Sequence, residues 1–431
     1  MKLPGRRANK LALTLALCVT ALVGRADKVR ILEKPADASQ ARIDLIQQAK
    51  HSIDAQYYIV GKDYFTLAGL ALLREAARRG CKVRLIIDAQ SDKIPSAVQS
   101  HLSKENVAVK LYHPFTFRRL AWVTHRMHDK GLNVDGHKMI RGGRNIEGAY
   151  FGYAARNFID RDVYVEGKSP RVASAYFEEL WNSPEVASPR VDSSAARAEE
   201  GRRILDQAHQ ELRARKGRKL NSGTDWGAGA REVAHVEFLH DPVGQKDFRE
   251  GIAQALRRKL RRTRHSILIE TPYLVPTKLL LADLTDVKQE GVSKIEFITN
   301  SVASNDSTLV QLGYEVGKKD LQKRGAKLWE FKGPDTLHAK SAVLDDRVAL
   351  IGSFNIDPRS QHLNTETAVV IEDEVTARQL SRNINAHKAQ CTHVNDGGGR
   401  QADQPATHMP LGKRIKTSLL RLMLPLLRGQ L

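Results

Sequence analysis

Cysteine is scarce: the 431-residue chain has three, and Cys18 sits inside an N-terminal apolar run. If Cys18 leaves with that run, Cys81 and Cys391 remain, one opening an apolar stretch and the other in a polar tail. No disulfide framework is implied, even for an oxidising compartment. The apolar run, Leu11 to Val23, has 13 residues, short of the ~20 that a spanning helix needs. No set of carboxylates with metal-ligand spacing accompanies the motifs described below, so a site without metal or cofactor is expected. Negative charge is also in deficit, with 49 acidic residues against 69 lysines and arginines and a net charge of +20. Such a field attracts nucleic acid, anionic lipid or a phosphorylated small molecule, and charge alone does not choose among them. A hydrophobic content of 41% is enough for a full core and excludes gross disorder.

The N-terminus has the order of a signal peptide over residues 1–26. Lys2, Arg6, Arg7 and Lys10 precede the apolar run, and Gly24-Arg25-Ala26 supplies small residues around a cleavage point. Export to the bacterial periplasm, or to the periplasmic face of the inner membrane, is the expectation. An uncleaved anchor and a lipoprotein box at Leu15-Ala16-Leu17-Cys18 are the alternatives. The run is short for the first, and leucine before the cysteine fits the second poorly.

The chain contains its own echo. His51-Ser52-Ile53 leads into a strand-like stretch ending Tyr57-Tyr58, and His265-Ser266-Ile267 into one ending Thr271-Pro272-Tyr273. Each is followed by a helix-like segment that stops at a glycine, Gly80 or Gly291, and then by a β-branched run, Cys81–Asp88 or Val292–Asn300. His51 precedes His128 by 77 positions and His265 precedes His338 by 73. The organisation expected is two α/β halves, residues 27–183 and 232–390, with mixed sheets flanked by helices and a monomer built on pseudo-twofold symmetry. Residues 184–231 read as a linker with a helix from Ala195 to Lys216. Residues 391–431 read as a polar segment followed by a basic, leucine-rich tail, Lys413 to Leu427, suited either to an anionic membrane surface or to packing on the protein body.

The chemistry resides in two matching strings, His128-Asp129-Lys130 with Asp135 and His338-Ala339-Lys340 with Asp345. On a strand, residues two apart face one side, so each histidine and lysine project together. Asp135 and Asp345 sit where a hairpin turn would return a second strand carrying Asn145 or Asn355, and Asp is itself a favoured turn residue. Either aspartate belongs to the site or to the turn. Gly142, Gly143 and Gly352 are turn glycines or places where backbone approaches a bound phosphate. A lone His-x-Lys pair means little, but two copies at matching places of a repeat mean more.

A phosphodiester is anionic and resists attack, so its oxygens must be neutralised, which Lys130, Lys340, Asn145 and Asn355 are equipped to do. One neutral imidazole then attacks phosphorus, and the other, protonated, donates to the leaving oxygen. Each imidazole needs a partner on its second nitrogen. Matching Arg161-Asp162-Val163-Tyr164-Val165 to Thr365-Glu366-Thr367-Ala368-Val369 nominates Asp162 and Glu366.

These strings, with Gln56-Tyr57-Tyr58-Ile59-Val60, Gly142-Gly143-Arg144-Asn145-Ile146, Trp181-Asn182-Ser183-Pro184 and Ile351-Gly352-Ser353-Phe354-Asn355-Ile356-Asp357-Pro358-Arg359-Ser360, resemble the phospholipase D superfamily. Within it the chain is most similar to the class C bacterial cardiolipin synthases, over residues 29–373. The resemblance implies a duplicated phospholipase D-like sandwich and a phosphatidyl group carried on one histidine. An alcohol then intercepts it: phosphatidylglycerol, alone or with phosphatidylethanolamine as co-substrate, for cardiolipin, or water for phosphatidic acid. It further implies His128 as nucleophile and His338 as general acid, with Glu366 orienting His128 and Asp162 orienting His338. Glu147-Gly148-Ala149 departs from the family's pattern at the pocket edge. Anionic phospholipid and a membrane surface are the expected partners, with no obligatory nucleic acid. A secreted nuclease of the same superfamily also accounts for the charge, and a lipid-binding protein with a decayed site is the non-enzymatic alternative.

Overall fold

Two sheets with matching internal order carry the molecule. The computed structural model describes residues 26–115, 124–217, 220, 222–244 and 251–395. The signal-peptide reading of residues 1–26 falls, but for Ala26, outside them, as do the triple glycine at 397–399 and the basic tail. Among the described residues no helix is long and apolar enough to cross a membrane.

The first sheet runs, edge to edge, Val186–Ala187, Val107–Tyr112, Lys82–Asp88, Ser52–Tyr57, Lys130–Val134, Lys138–Gly142, Asp162–Glu166, Asp27–Leu32 and Arg231–Val233. The second runs Cys391–His393, Ala326–Phe331, Lys294–Asn300, Ser266–Glu270, Ser341–Leu344, Val348–Gly352, Thr367–Glu372 and Val236–His240. In each, three parallel strands joined by helices meet an antiparallel hairpin whose first strand starts at the end of the His-x-Lys string, at Lys130 or just after Lys340. Both sheets are therefore mixed, and the two halves repeat one topology.

Local chemistry explains the repeated elements. The helices Tyr64–Arg78 and Lys278–Gln289 start at Asp63 and Thr277, whose side chains accept from the backbone N–H of Thr66 and Leu280. Both stop at the glycines noted in the sequence, Gly80 (φ +96°) and Gly291 (φ +97°), in a conformation that L-residues rarely adopt.

The sheets do not pack as a simple two-layer sandwich. At the centre Lys138–Gly142 and Asp162–Glu166 of the first sheet meet Val348–Gly352 and Thr367–Glu372 of the second directly. Beside that contact lie the helices Ser169–Asn182 and Glu374–Lys388, whose Ala173, Phe177, Leu380 and Ile384 join Met139, Val163, Ile351 and Val369 in one shared core. Separate cores fill the outer face of each sheet. Burial of this middle layer ties the halves together, since its members come from both sheets.

The stretch 184–231 has its helix at Ala195–Lys216, but it is no free spacer. The helix packs on Tyr64–Arg78 and Ser96–Lys104, and Leu205, Ala208 and Leu212 enter the first half's core. Its ends add strands to both edges of the first sheet. At the other end, Cys391–His393 pairs with Ala326–Phe331, so the second sheet extends slightly into the segment read as a polar tail. Cys81 and Cys391 are both free thiols.

Candidate active site

Two very short parallel ladders join the halves crosswise and build the site. Arg126–Met127, just before His128, pairs with Asn364–Thr365, just before Glu366. Thr336–Leu337, just before His338, pairs with Phe158–Ile159, just before Asp160. Backbone bonds extend each ladder by one step, from His128 N to Thr365 O (3.0 Å) and from His338 N to Ile159 O (2.7 Å). Each histidine is thereby set beside a carboxylate from the other half.

Glu366 holds His128 as expected, with both carboxylate oxygens 2.9 Å from Nδ1. The partner of His338 is different: Asp160 Oδ2 lies 2.5 Å from its Nδ1. The nomination of Asp162 is corrected. Asp162 is fully buried against Arg42 (2.9 Å) and Arg144 (3.1 Å), inside the first half. The cause is a two-residue slip. Gly142 faces Asp162 across the ladder, and Gly352 faces Ala368, so Glu366 corresponds to Asp160 and not to Asp162. Because a shift of two keeps a side chain on the same face of a strand, alternation gave no warning.

The two carboxylates are of different length, and their surroundings compensate. Glu366 receives Ser353 Oγ and Ser360 Oγ (2.7 Å). At the position matching Ser353 stands Gly143, where an added Cβ would come within 2.2 Å of Asp160 Oδ1. The shorter carboxylate sits closer to the backbone and needs the glycine. Likewise a Cβ on Gly142 would meet Arg161 O at 2.3 Å, and one on Gly352 would meet Thr367 O at 2.4 Å. These three glycines therefore make room for protein, which replaces the phosphate-approach reading.

Asp135 and Asp345 do not belong to the site. Asp135 accepts from the backbone N–H of Lys50, His51 and Ser52, and Asp345 from Arg264, His265 and Ser266. Both have positive φ (+52° and +54°), which Asp tolerates better than most residues. They pin the far end of the hairpin to the start of the strand beside it, roughly 24 Å of extended chain from the histidines.

The remaining residues converge. Lys130 and Lys340 are 1% and 4% exposed, and Lys340 Nζ lies 3.1 Å from His338 Nε2. Lys130 Nζ lies over the Tyr58 ring, whose plane also meets His128 edge-on. Tyr150 and Phe158 meet His338 in the same way. Asn145 Oδ1 accepts from Ile59 N and its amide donates to Tyr150 Oη. Asn355, buried at the matching place, keeps its Oδ1 without a partner among the described residues. Below His128, buried Asp129 accepts from Tyr176, Gln56 and Thr365, a network that no sequence motif signalled.

Burial and the two lysines push His128 well below its ordinary pKa, so its ring is neutral. Burial and Lys340 also lower His338, but Asp160 opposes them. Asp160 itself is held low, against its burial, by Lys340, His338 and Arg144. Glu366 goes the other way: burial raises it well above the carboxylate range despite Lys130 and two serines. Burial also brings Lys340 down to about 8. The site is thus polarised, with an ionised carboxylate behind His338 and a lone pair available on His128.

The description "Cardiolipin synthase, PLD-like domain" matches residues 43–181 and 256–388 of the chain. Cardiolipin synthase C of Escherichia coli strain K12 is 32% identical over 399 residues, covering 81% of this chain and 82% of that protein. Cardiolipin synthase 1 of Bacillus anthracis is 25% identical, covering 89% and 70%. Among solved structures, the phosphatidylserine synthase of Haemophilus influenzae Rd KW20 superposes over 96% of this chain and 99% of its own with a TM-score of 0.68, at 15% identity. That likeness concerns the fold.

Proposed function

Because the chain belongs to the cardiolipin synthase family of phospholipase D-like proteins, we propose that it is a phosphatidyltransferase that forms cardiolipin from phosphatidylglycerol through a phosphohistidine. The crosswise placement of the two histidines, one neutral and one backed by an ionised carboxylate, is the observation that carries this reading. His128 Nε2 supplies its lone pair to phosphorus while Glu366 accepts its Nδ1–H, and the bond to the headgroup oxygen breaks. His338 gives that oxygen a proton from Nε2, and Asp160 stabilises the imidazolium beforehand. Lys130, Lys340 and the Asn145 and Asn355 amides offset charge on the phosphoryl oxygens. In the return half, the acceptor hydroxyl passes its proton to His338 and attacks phosphorus, releasing His128. Atoms balance: one alcohol leaves and another replaces it.

The basic N-terminal run and the leucine-rich basic tail support a site of action at the periplasmic face of the inner membrane. Incubating the purified full chain with phosphatidylglycerol vesicles, with and without phosphatidylethanolamine, tests the activity. Mass spectrometry is expected to find cardiolipin from the wild type and none from His128→Ala. Phosphatidic acid as the sole product would make water the acceptor, and neither product would refute the proposal.

A further inference from the structure

The two halves differ in one place where their topology does not. Behind the His-x-Lys hairpin, between the outer face of each sheet and its covering helices, lies an apolar cavity. In the first half it measures about 70 Å³ and is closed in part by Leu212 of the helix Ala195–Lys216. In the second half it measures about 150 Å³. Three replacements contribute to the difference. Leu132, Tyr57 and Phe65 line the first cavity, and the matching positions in the second are Ala342, Thr271 and Leu279. Ile269, Leu280 and Asp283, opposite Ala55, Thr66 and Gly69, run the other way, so the three smaller side chains set where the room lies, below Ala342 and Thr271. Among the described residues, no helix follows the second half as Ala195–Lys216 follows the first.

The larger cavity is walled by Leu256 and Leu280 from two helices and by Ile269 and Leu350 from the sheet. At one end its wall is Lys340 and Asp357, so the phosphate-neutralising lysine is shared between an anionic site and an apolar one. A cavity of this size lined by leucine and isoleucine holds about six carbons and excludes water. A phospholipid is the molecule that presents a phosphodiester and an alkyl chain a few bonds apart. We propose that this cavity takes a segment of an acyl chain of the phospholipid whose phosphoryl group lies between His128 and His338. The proposal rests on the phosphatidyltransferase reading. It makes the second half the one that grips lipid, while the first half's equivalent space is narrowed by the protein's own side chains.

Water-soluble phosphatidylglycerols with two acetyl, butanoyl or hexanoyl chains, kept below aggregation, provide the test, with bis(p-nitrophenyl) phosphate as a chainless control. In the wild type, kcat/KM is expected to rise with chain length, by up to about fourfold per added methylene that reaches the cavity. Ala342→Leu installs the side chain that the first half carries and is expected to flatten this dependence while leaving the chainless control unchanged. Leu256→Trp fills the cavity from the helix side and decides the matter if Ala342→Leu lowers the control as well. An unchanged chain-length dependence in a variant with normal control activity overturns the proposal. Absence of phospholipid turnover by the wild type, with the control still cleaved, overturns instead the phosphatidyltransferase reading on which it rests.

Discussion

Replacing Asp160 by Asn removes the charge behind His338 while keeping its size. A unit charge pair about 4 Å apart at an effective dielectric near 20 interacts by about 4 kcal/mol, or about three pKa units. Asp160 Oδ2 is 2.5 Å from His338 Nδ1 and fully buried, so that interaction is little screened. His338 already lies below its ordinary pKa because of burial and Lys340, and without Asp160 its protonated form becomes rarer still at neutral pH. General acid catalysis is worth about 10²–10⁴-fold, and the loss is expected near the middle of that range. The assay compares two leaving groups in Asp160→Asn: glycerol, which must be protonated to leave, and p-nitrophenol, which leaves as its anion. Turnover should fall roughly 10³-fold with the first and less than about 10-fold with the second. Asp162→Asn is the companion, since Asp162 lies against Arg42 and Arg144. It should lower the melting temperature without any leaving-group dependence. Equal losses with both leaving groups in Asp160→Asn, or a leaving-group effect in Asp162→Asn, would refute the assignment of Asp160 as partner of the acid.

Other consequences are open to measurement. Glu366→Gln should slow formation of the histidine adduct with both leaving groups alike, since Glu366 serves the attacking His128 (2.9 Å); rapid-quench trapping of the adduct reads this directly. Gly143→Ala drives a Cβ to 2.2 Å from the Asp160 carboxylate and should reproduce the leaving-group pattern of Asp160→Asn, whereas retention of full activity would show that the carboxylate has room to move. Asp345→Ala removes an acceptor from three backbone N–H groups. It should cost about 1–2 kcal/mol in chemical denaturation, allowing for partial exposure, with turnover per folded molecule unchanged. Lys340, at about 8, carries its charge below that pH and loses it above, so KM should climb as pH rises through 8. The same depression gives the opposite slope for stability of the substrate-free protein. Between about 8 and 10.5 the unfolded lysine binds more protons than the folded one, so this group's contribution to stability rises with pH there.

The duplication made most of the fold legible, because it allowed each half to check the other. Glycine stops, strand-like runs and the His-x-Lys strings recur in order, and the structure gives the matching strands matching places in the two sheets. What the repeat did not disclose is where the symmetry is broken, and in each instance the reason is physical. The partner of His338 was displaced by two positions, from Asp160 to Asp162, because a sheet has a period of two and both carboxylates share a face. The sequence did hold a discriminating signal in Gly143 opposite Ser353. A carboxylate one methylene shorter sits nearer the backbone, and a serine there would clash with Asp160 where Ser353 donates to Glu366. The stretch 184–231 looked like a spacer because it is rich in Ala, Arg, Ser and Gly and its few large apolar residues are scattered. Its burial depends on the groove between the helices Tyr64–Arg78 and Ser96–Lys104, a tertiary feature with no local signature. That same helix bears on the first cavity through Leu212, and among the described residues no such helix lines the second. Among the described residues, the departure from twofold symmetry that hid the role of residues 184–231 therefore coincides with the difference in size between the two cavities.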